Sequence, residues 1–349
     1  MNIEDKKIAI LSITQNGKKL GLKIKKEILN AHLYYVKKDA IEKESNVIYI
    51  NKKLKEFVPD IFNEYDYIIF IMACGIVVRA IAPLLENKFL DPAILVCDEK
   101  GKNVISLLSG HIGGANEMTL YISSLIDSNP VITTATDINN KSSLDMIAKS
   151  LNAHIYDFRN KVLKINSKLV NNEQVNLFMD GDYNIDTRGF NICNKNEINN
   201  LEDVVVISNK KNLNIENDSI IKVVPKDIVI GIGCKRNTDK EHMINSLSDF
   251  LHEHNIDINS IKEIGSIDIK KDEEALINLS KYLNIPFKTF TVKEISKFDD
   301  LYEKSDWVKQ NVGVYSVAEP VTHLLSDGNL IIKKHKYNGI TFSVGRIKI

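Results

Sequence analysis

Val104-Ile105-Ser106-Leu107-Leu108 runs directly into Ser109-Gly110-His111-Ile112-Gly113-Gly114-Ala115-Asn116-Glu117. The first five residues read as a buried strand. Beyond the loop, Met118, Tyr121, Ile122, Leu125 and Ile126 recur at the i, i+3, i+4 spacing of a helix. Strand, glycine turn and helix in that order form the repeating unit of an α/β sheet. Gly110, Gly113 and Gly114 let backbone approach a bound group closely and leave helix-terminal N–H groups pointing outward. Histidine is the side-chain type that titrates near neutral pH. His111 therefore adds an acid/base reading to an anion-binding loop whose candidate contacts are Gly110, Gly113, Gly114 and Asn116. Glu117, about one turn into the helix, is placed to lean back and fix the imidazole tautomer. Taken alone, the same motif also fits a tight turn whose histidine bonds to backbone.

Working outward, residues 7–13 read as a buried strand, and residues 66–72 as one apolar on both faces, as central parallel strands are. Helical patterns follow them over 20–29 and 76–85. Asp98-Glu99-Lys100-Gly101 is a hairpin-type turn between strands at 93–97 and 104–108, so the first sheet is expected to be open and mixed, with flanking helices. Residues 130–137 read as a strand running into Thr133, Thr134, Thr136 and Asp137. Ser142-Ser143-Leu144-Asp145 resembles a capping box. The strand ends then carry residues 14–17, Gly75 with Arg79 one turn further, the histidine loop, and residues 133–137. In an open α/β sheet such ends collect at one rim, where ligands bind. That convergence favours the catalytic reading of His111, with Asp137 as a further carboxylate.

Residues 152–222 are rich in Asn and Asp with weak helical periodicity, and strand candidates appear at 175–179 and 204–207. A second organised unit starts after Pro225. Ile228-Val229-Ile230-Gly231-Ile232-Gly233 is an apolar strand, Cys234-Lys235-Arg236-Asn237 a loop, and Thr238-Asp239-Lys240-Glu241 a capping box. A dinucleotide fingerprint needs glycine where Arg236 stands. The loop instead offers N–H groups and two cations suited to carboxylates or phosphates, with Gly231, Gly233, Cys234, Lys235 and Arg236 as contacts. Further on, residues 313–320 form a loop feeding a short helix, with Ser316 as a candidate substrate contact and Glu319 as a further candidate catalytic carboxylate. Tyr337-Asn338-Gly339 marks a terminal hairpin. The chain reads as α/β throughout: an amino-terminal domain (1–138), a small α/β or β-rich middle domain (139–222) and a carboxy-terminal α/β domain (223–349).

Composition removes several function classes. The 46 basic and 46 acidic residues cancel, which leaves no nucleic-acid-binding signature. No apolar run approaches the ~20 residues of a membrane span. Four scattered cysteines without a C-x-x-C pair read as reduced thiols of a cytoplasmic protein. No metal-ligand spacing is present: His252 and His254 point apart on a helix.

Gly75-Ile-Val-Val-Arg79-Ala-Ile-Ala-Pro83, Asp91-Pro92-Ala93, Leu107-Leu-Ser-Gly-His111-Ile-Gly-Gly-Ala-Asn116-Glu117 and Thr133-Thr-Ala-Thr-Asp137 resemble the amino-terminal part of the cobalt-precorrin-5A hydrolase (CbiG) family. Gly231-Ile-Gly-Cys-Lys-Arg236, Ser266-Ile-Asp-Ile-Lys-Lys-Asp272-Glu273 and Gly313-Val-Tyr-Ser-Val-Ala-Glu319-Pro320 resemble its carboxy-terminal domain. Gly265 stands where members often have alanine. The resemblance implies a step of anaerobic cobalamin (vitamin B12) biosynthesis, in which a δ-lactone is opened and a two-carbon unit leaves as acetaldehyde. The implied partner is a small-molecule cobalt-corrinoid polycarboxylate, alongside transient contact with neighbouring pathway enzymes. No cofactor is expected, because the cobalt arrives within the substrate. Two other readings fit the rim loops: a non-catalytic corrinoid carrier, and a nucleotide- or sugar-phosphate-using α/β enzyme.

Overall fold

The computed structural model describes residues 3–37, 44–87 and 90–349. The chain forms two compact units, Met1–Lys141 and Ser142–Ile349. The first contains, in order, β1 (Ile8–Ser12), α1 (Gln15–Glu27), β2 (Ala31–Val36), β3 (Ile48–Ile50), α2 (Leu54–Phe62), β4 (Tyr67–Ile71), α3 (Cys74–Ile81), β5 (Ala93–Cys97), β6 (Asn103–Leu108), α4 (Ala115–Ile126), β7 (Asn129–Val131) and α5 (Ala135–Ile138). The strands make one sheet in the order β3-β2-β1-β4-β5-β6-β7. Successive residues of its central strands feed opposite layers: Ile8, Ile10 and Ile69 pack on one face, Ala9, Leu11 and Ile68 on the other. That two-sided burial is why these strands read as unbroken apolar runs.

β1 to β5 are mutually parallel. The hairpin at Asp98–Gly101, with Gly101 at φ +67°, reverses direction, so β6 is antiparallel to β5 and β7 is parallel to β6. The mixed sheet matches the sequence reading. β2 was not anticipated, and the segment expected as a strand over 130–137 divides into β7 and the short helix α5. Ser143 does cap a helix but makes no side-chain capping bond.

The second unit opens with α6 (Leu144–Ser150), α7 (Phe158–Val170), β8 (Asn176–Met179), β9 (Asn191–Ile192), β10 (Val204–Ile207) and β11 (Ile221–Val223). These strands form a parallel sheet in the order β11-β10-β8-β9. Next come β12 (Ile228–Cys234), α8 (Lys240–Glu253), β13 (Ile261–Ile267), α9 (Glu274–Leu283), β14 (Phe287–Phe290), α10 (Val292–Ile295), α11 (Asp306–Val312), α12 (Ala318–Ser326), β15 (Leu330–Tyr337) and β16 (Ile340–Arg346). Their sheet runs β14-β13-β12-β16-β15, with β15 and β16 antiparallel across a turn whose Asn338 and Gly339 both have positive φ. Arg346 links the two sheets of this unit, donating from Nε to the buried Asp227 carboxylate (2.6 Å) and from Nη2 to the Tyr183 hydroxyl (2.5 Å). Among the described residues no helix is long and apolar enough to cross a membrane.

Candidate active site

The loop after β6 spends three of its backbone donors on itself. Ser109 takes a left-handed conformation (φ +57°) and its hydroxyl donates to the Asp91 carbonyl (2.9 Å), which pins the exit of the strand. Gly114 N–H then donates to His111 O (2.9 Å), Ala115 N–H to Ser109 O (3.1 Å) and Asn116 N–H to Gly110 O (3.0 Å). The first turn of α4 is thereby capped by its own loop. This removes the Gly114 N–H from the expected anion cradle, because that donor is occupied. Close packing requires the glycines instead. A Cβ at Gly113 would lie 2.5 Å from Ser109 Cβ, and one at Gly114, itself at φ +85°, 2.7 Å from the Tyr67 hydroxyl.

The turn presents the His111 imidazole. Its Nε2 lies 2.9 Å from Asp137 Oδ2 and 2.9 Å from Thr136 Oγ1. Asn116 Nδ2 donates to the same Asp137 oxygen (2.8 Å) and to Thr134 Oγ1 (3.0 Å), while its Oδ1 accepts from Ser106 Oγ (2.6 Å). A continuous relay, Ser106 to Asn116 to Asp137 to His111, therefore fixes one ring orientation. The tautomer that fits this geometry carries its proton on Nε2, facing the Asp137 carboxylate. The His111 side chain retains 18% of its exposure, so the ring is held but accessible.

Several sequence assignments change role. Asn116 is buried and its amide is engaged by protein, which makes it an orienting group and not the substrate contact expected. Thr134 and Thr136 likewise hold the relay, and Thr133 is exposed beside them. The carboxylate at Nε2 is Asp137. Glu117 is exposed in the first turn of α4, where its charge adds to burial in raising the Tyr67 hydroxyl's pKa. Ser106, which anchors the relay, carried no sequence signal beyond one hydroxyl in an apolar run.

The single rim expected from the sequence does not exist. Because β6 and β7 run against β1 to β5, their carboxyl ends meet the amino ends of β4 and β5; Leu108 stands opposite Ile94. Gly75 and Arg79 follow β4 and lie at the other edge, five strand residues away, or roughly 16 Å. There the exposed Arg79 donates to Gly75 O on its own helix (2.9 Å).

In the second unit, the loop after β12 is tied to neighbouring segments. Arg236 donates to Asp272 Oδ1 (2.7 Å) and to the Ile269 carbonyl (2.6 Å), so the expected carboxylate clamp already holds a carboxylate. Lys235 N–H donates to Gly339 O (3.3 Å), and Thr238 N–H to Glu273 Oε1 (3.2 Å). Asp239, the observed helix cap, lines the adjoining groove with Asp272, Glu273 and Glu274, opposed by Arg236 and Lys240. Four carboxylates against two cations do not make an anion site. Burial raises the Cys234 thiol's pKa, which keeps it a poor nucleophile. Gly231 is a packing position: a Cβ there would fall 2.1 Å from Ala318 O on α12. Gly233 is open, with nothing nearer than 3.7 Å. Ser316 is buried, as is Glu319, whose Oε1 accepts from Lys334 N–H (3.4 Å) while Oε2 has no hydrogen-bond partner among the described residues.

Comparison with known proteins covers both units. Residues 56–137 match the model "Cobalamin synthesis G N-terminal", 142–222 the "Cobalamin biosynthesis central region", and 228–345 the "Cobalamin synthesis G C-terminus". The cobalt-precorrin-5A hydrolase of Salmonella typhimurium is 39% identical, over 81% of this chain and 83% of its own. That of Priestia megaterium is 29% identical over 97% of this chain and 94% of its own. A solved cobalamin biosynthesis protein G homolog from Sulfolobus solfataricus is 25% identical, covering 98% of this chain and 97% of its own, with a TM-score of 0.41. Matched by three family models that follow one another between residues 56 and 345, and at 39% identity by a curated relative, the chain belongs to the cobalt-precorrin-5A hydrolase (CbiG) family.

Proposed function

We propose that this chain is a cobalt-precorrin-5A hydrolase of cobalamin biosynthesis. It opens the δ-lactone of its corrinoid substrate and releases the two-carbon unit as acetaldehyde, giving cobalt-precorrin-5B. The observation that carries the catalytic assignment is the accessible His111 imidazole held by Asp137 at 2.9 Å, with Asn116 fixing the carboxylate. In this reading the His111 imidazole takes a proton from water as the oxygen attacks the lactone carbonyl, and Asp137 stabilises the imidazolium that forms. The acyl–oxygen bond breaks and the leaving alkoxide receives the proton. That freed alcohol then surrenders its proton as the carbon–carbon bond to the two-carbon unit breaks. The bonding pair stays with the macrocycle, whose carbon gains a proton. One water is consumed and one acetaldehyde leaves.

Cobalt belongs to the substrate in this scheme, the reaction is placed in the cytoplasm, and brief contacts with neighbouring pathway enzymes hand the corrinoid on. Incubation of the purified chain with cobalt-precorrin-5A tests the proposal. Mass spectrometry should show gain of water and loss of acetaldehyde, and a trapping reagent should capture the aldehyde. A change in the corrinoid spectrum without aldehyde release would instead make the chain a carrier.

A further inference from the structure

His254 and His335 lie far apart in the chain, and the fold brings them together. α8 ends at Glu253, with His254 as its C-cap. His335 lies on β15, an edge strand. Ile332 pairs with Val344 and His335 with Phe342, so three steps along β15 match two along β16. One extra residue of this kind is a bulge, and it turns the side chains that follow to the opposite face. His335 and Tyr337 are thereby aimed inward, against Phe250 on α8. The His254 and His335 rings cross at 80° with centroids 5.5 Å apart, and His335 Nε2 is 3.8 Å from Glu253 Oε2.

We propose that Glu253, His254 and His335 bind one divalent cation of the Zn²⁺ class, clipping the bulged edge strand to the end of α8. One ligand atom from each residue lies within 4.8 Å of the other two. Tetrahedral ligands at Zn²⁺ bond lengths stand about 3.3 Å apart, so small side-chain rotations of Glu253 and the two histidines close the set. Two imidazoles and a carboxylate are a donor set for borderline first-row cations, with water completing the sphere. Two observations favour a ligand over simple aromatic packing. His254 Nε2 is shielded from solvent without a hydrogen-bond partner among the described residues, an unfavourable state that coordination of this ring would relieve. The Tyr337 hydroxyl donates to Glu253 Oε2, the kind of outer bond that orients a carboxylate ligand.

The test is calorimetric titration of the tag-free full chain, freed of metal by a chelator, with ZnCl₂, paired with melting curves. Saturable binding of one ion and a melting point raised by about 5 °C at a hundredfold excess over Kd are expected. Glu253→Gln, an exposed change that leaves the fold intact, should weaken binding more than tenfold, and Tyr337→Phe by about tenfold. Absence of heat and melting shift at millimolar ZnCl₂ overturns the proposal. So does an affinity unchanged in Glu253→Gln, which would assign the ion to the cysteines or other histidines.

Discussion

The loop after β6 and the loop after β12 are assembled from the same parts: a buried strand, glycines, and a helix beginning within a few residues. In each, some of the backbone N–H groups that could receive an anion are bonded within the protein: those of Gly114, Ala115 and Asn116 in the first, and of Lys235 and Thr238 in the second. They differ in what remains. The first keeps a histidine whose ring is oriented by a carboxylate and still reaches solvent. The second keeps its cation paired with Asp272 beside a groove edged with acid. A glycine loop at a strand end therefore does not define a site by its backbone alone; the side chain it holds oriented and accessible does.

The sharpest way to break this contrast is His111→Asn. We expect kcat to fall by roughly 10²–10⁴ with KM and folding preserved. A fall below about tenfold would move the proton transfer to Asp137 or Glu319 and leave the two loops chemically alike. Asn116→Ala tests the relay behind the histidine. It should lower kcat by about ten- to a hundredfold and alter the acid limb of the pH–rate profile, because the ring loses its fixed orientation. A variant that raises KM alone would restore Asn116 as a substrate contact.

Glycine substitutions probe the second loop by melting temperature. Gly231→Ala should cost about 1–3 kcal/mol or more, since its methyl group meets the backbone of α12, whereas Gly233→Ala should change little. Equal effects would mean that α12 yields. The smallest effect is expected from Arg236→Ala, with KM changed by less than about fivefold because the guanidinium is occupied. The Arg236 guanidinium holds the Asp272 carboxyl below the usual range. A folded pKa below the unfolded one stabilises above about pH 4 and is lost as pH falls through the folded value. Native and Arg236→Ala proteins should therefore melt alike in acid and differ slightly at neutral pH. A tenfold rise in KM would show that Arg236 exchanges Asp272 for substrate.

Local pattern determined much on its own. The central strands were legible because burial on both faces leaves continuous apolar runs, and the mixed sheet because a turn with glycine at positive φ announces a hairpin. His111 and Asp137 stood out because glycines and polar residues interrupt buried segments. In α7, Phe158, Val162, Ile165 and Leu169 keep helical spacing, but Lys and Asn between them hid it. β2 is a six-residue segment carrying His32 and two tyrosines, without the unbroken apolar run of the central strands.

Strand direction, pairing and charge neutralisation required the tertiary structure. Sequence alone placed Gly75 and Arg79 on the same rim as His111, and the reversal after β5 put them at opposite edges. It offered Arg236 as a clamp and could not see Asp272 closing it. It set aside the histidines of the carboxy-terminal region because no spacing joined them, yet a one-residue bulge turns His335 toward His254. The physical reason is common to all three: periodicity records which face of an element a residue occupies, whereas a bond between residues on different elements depends on register and direction, which are fixed only when the elements pack.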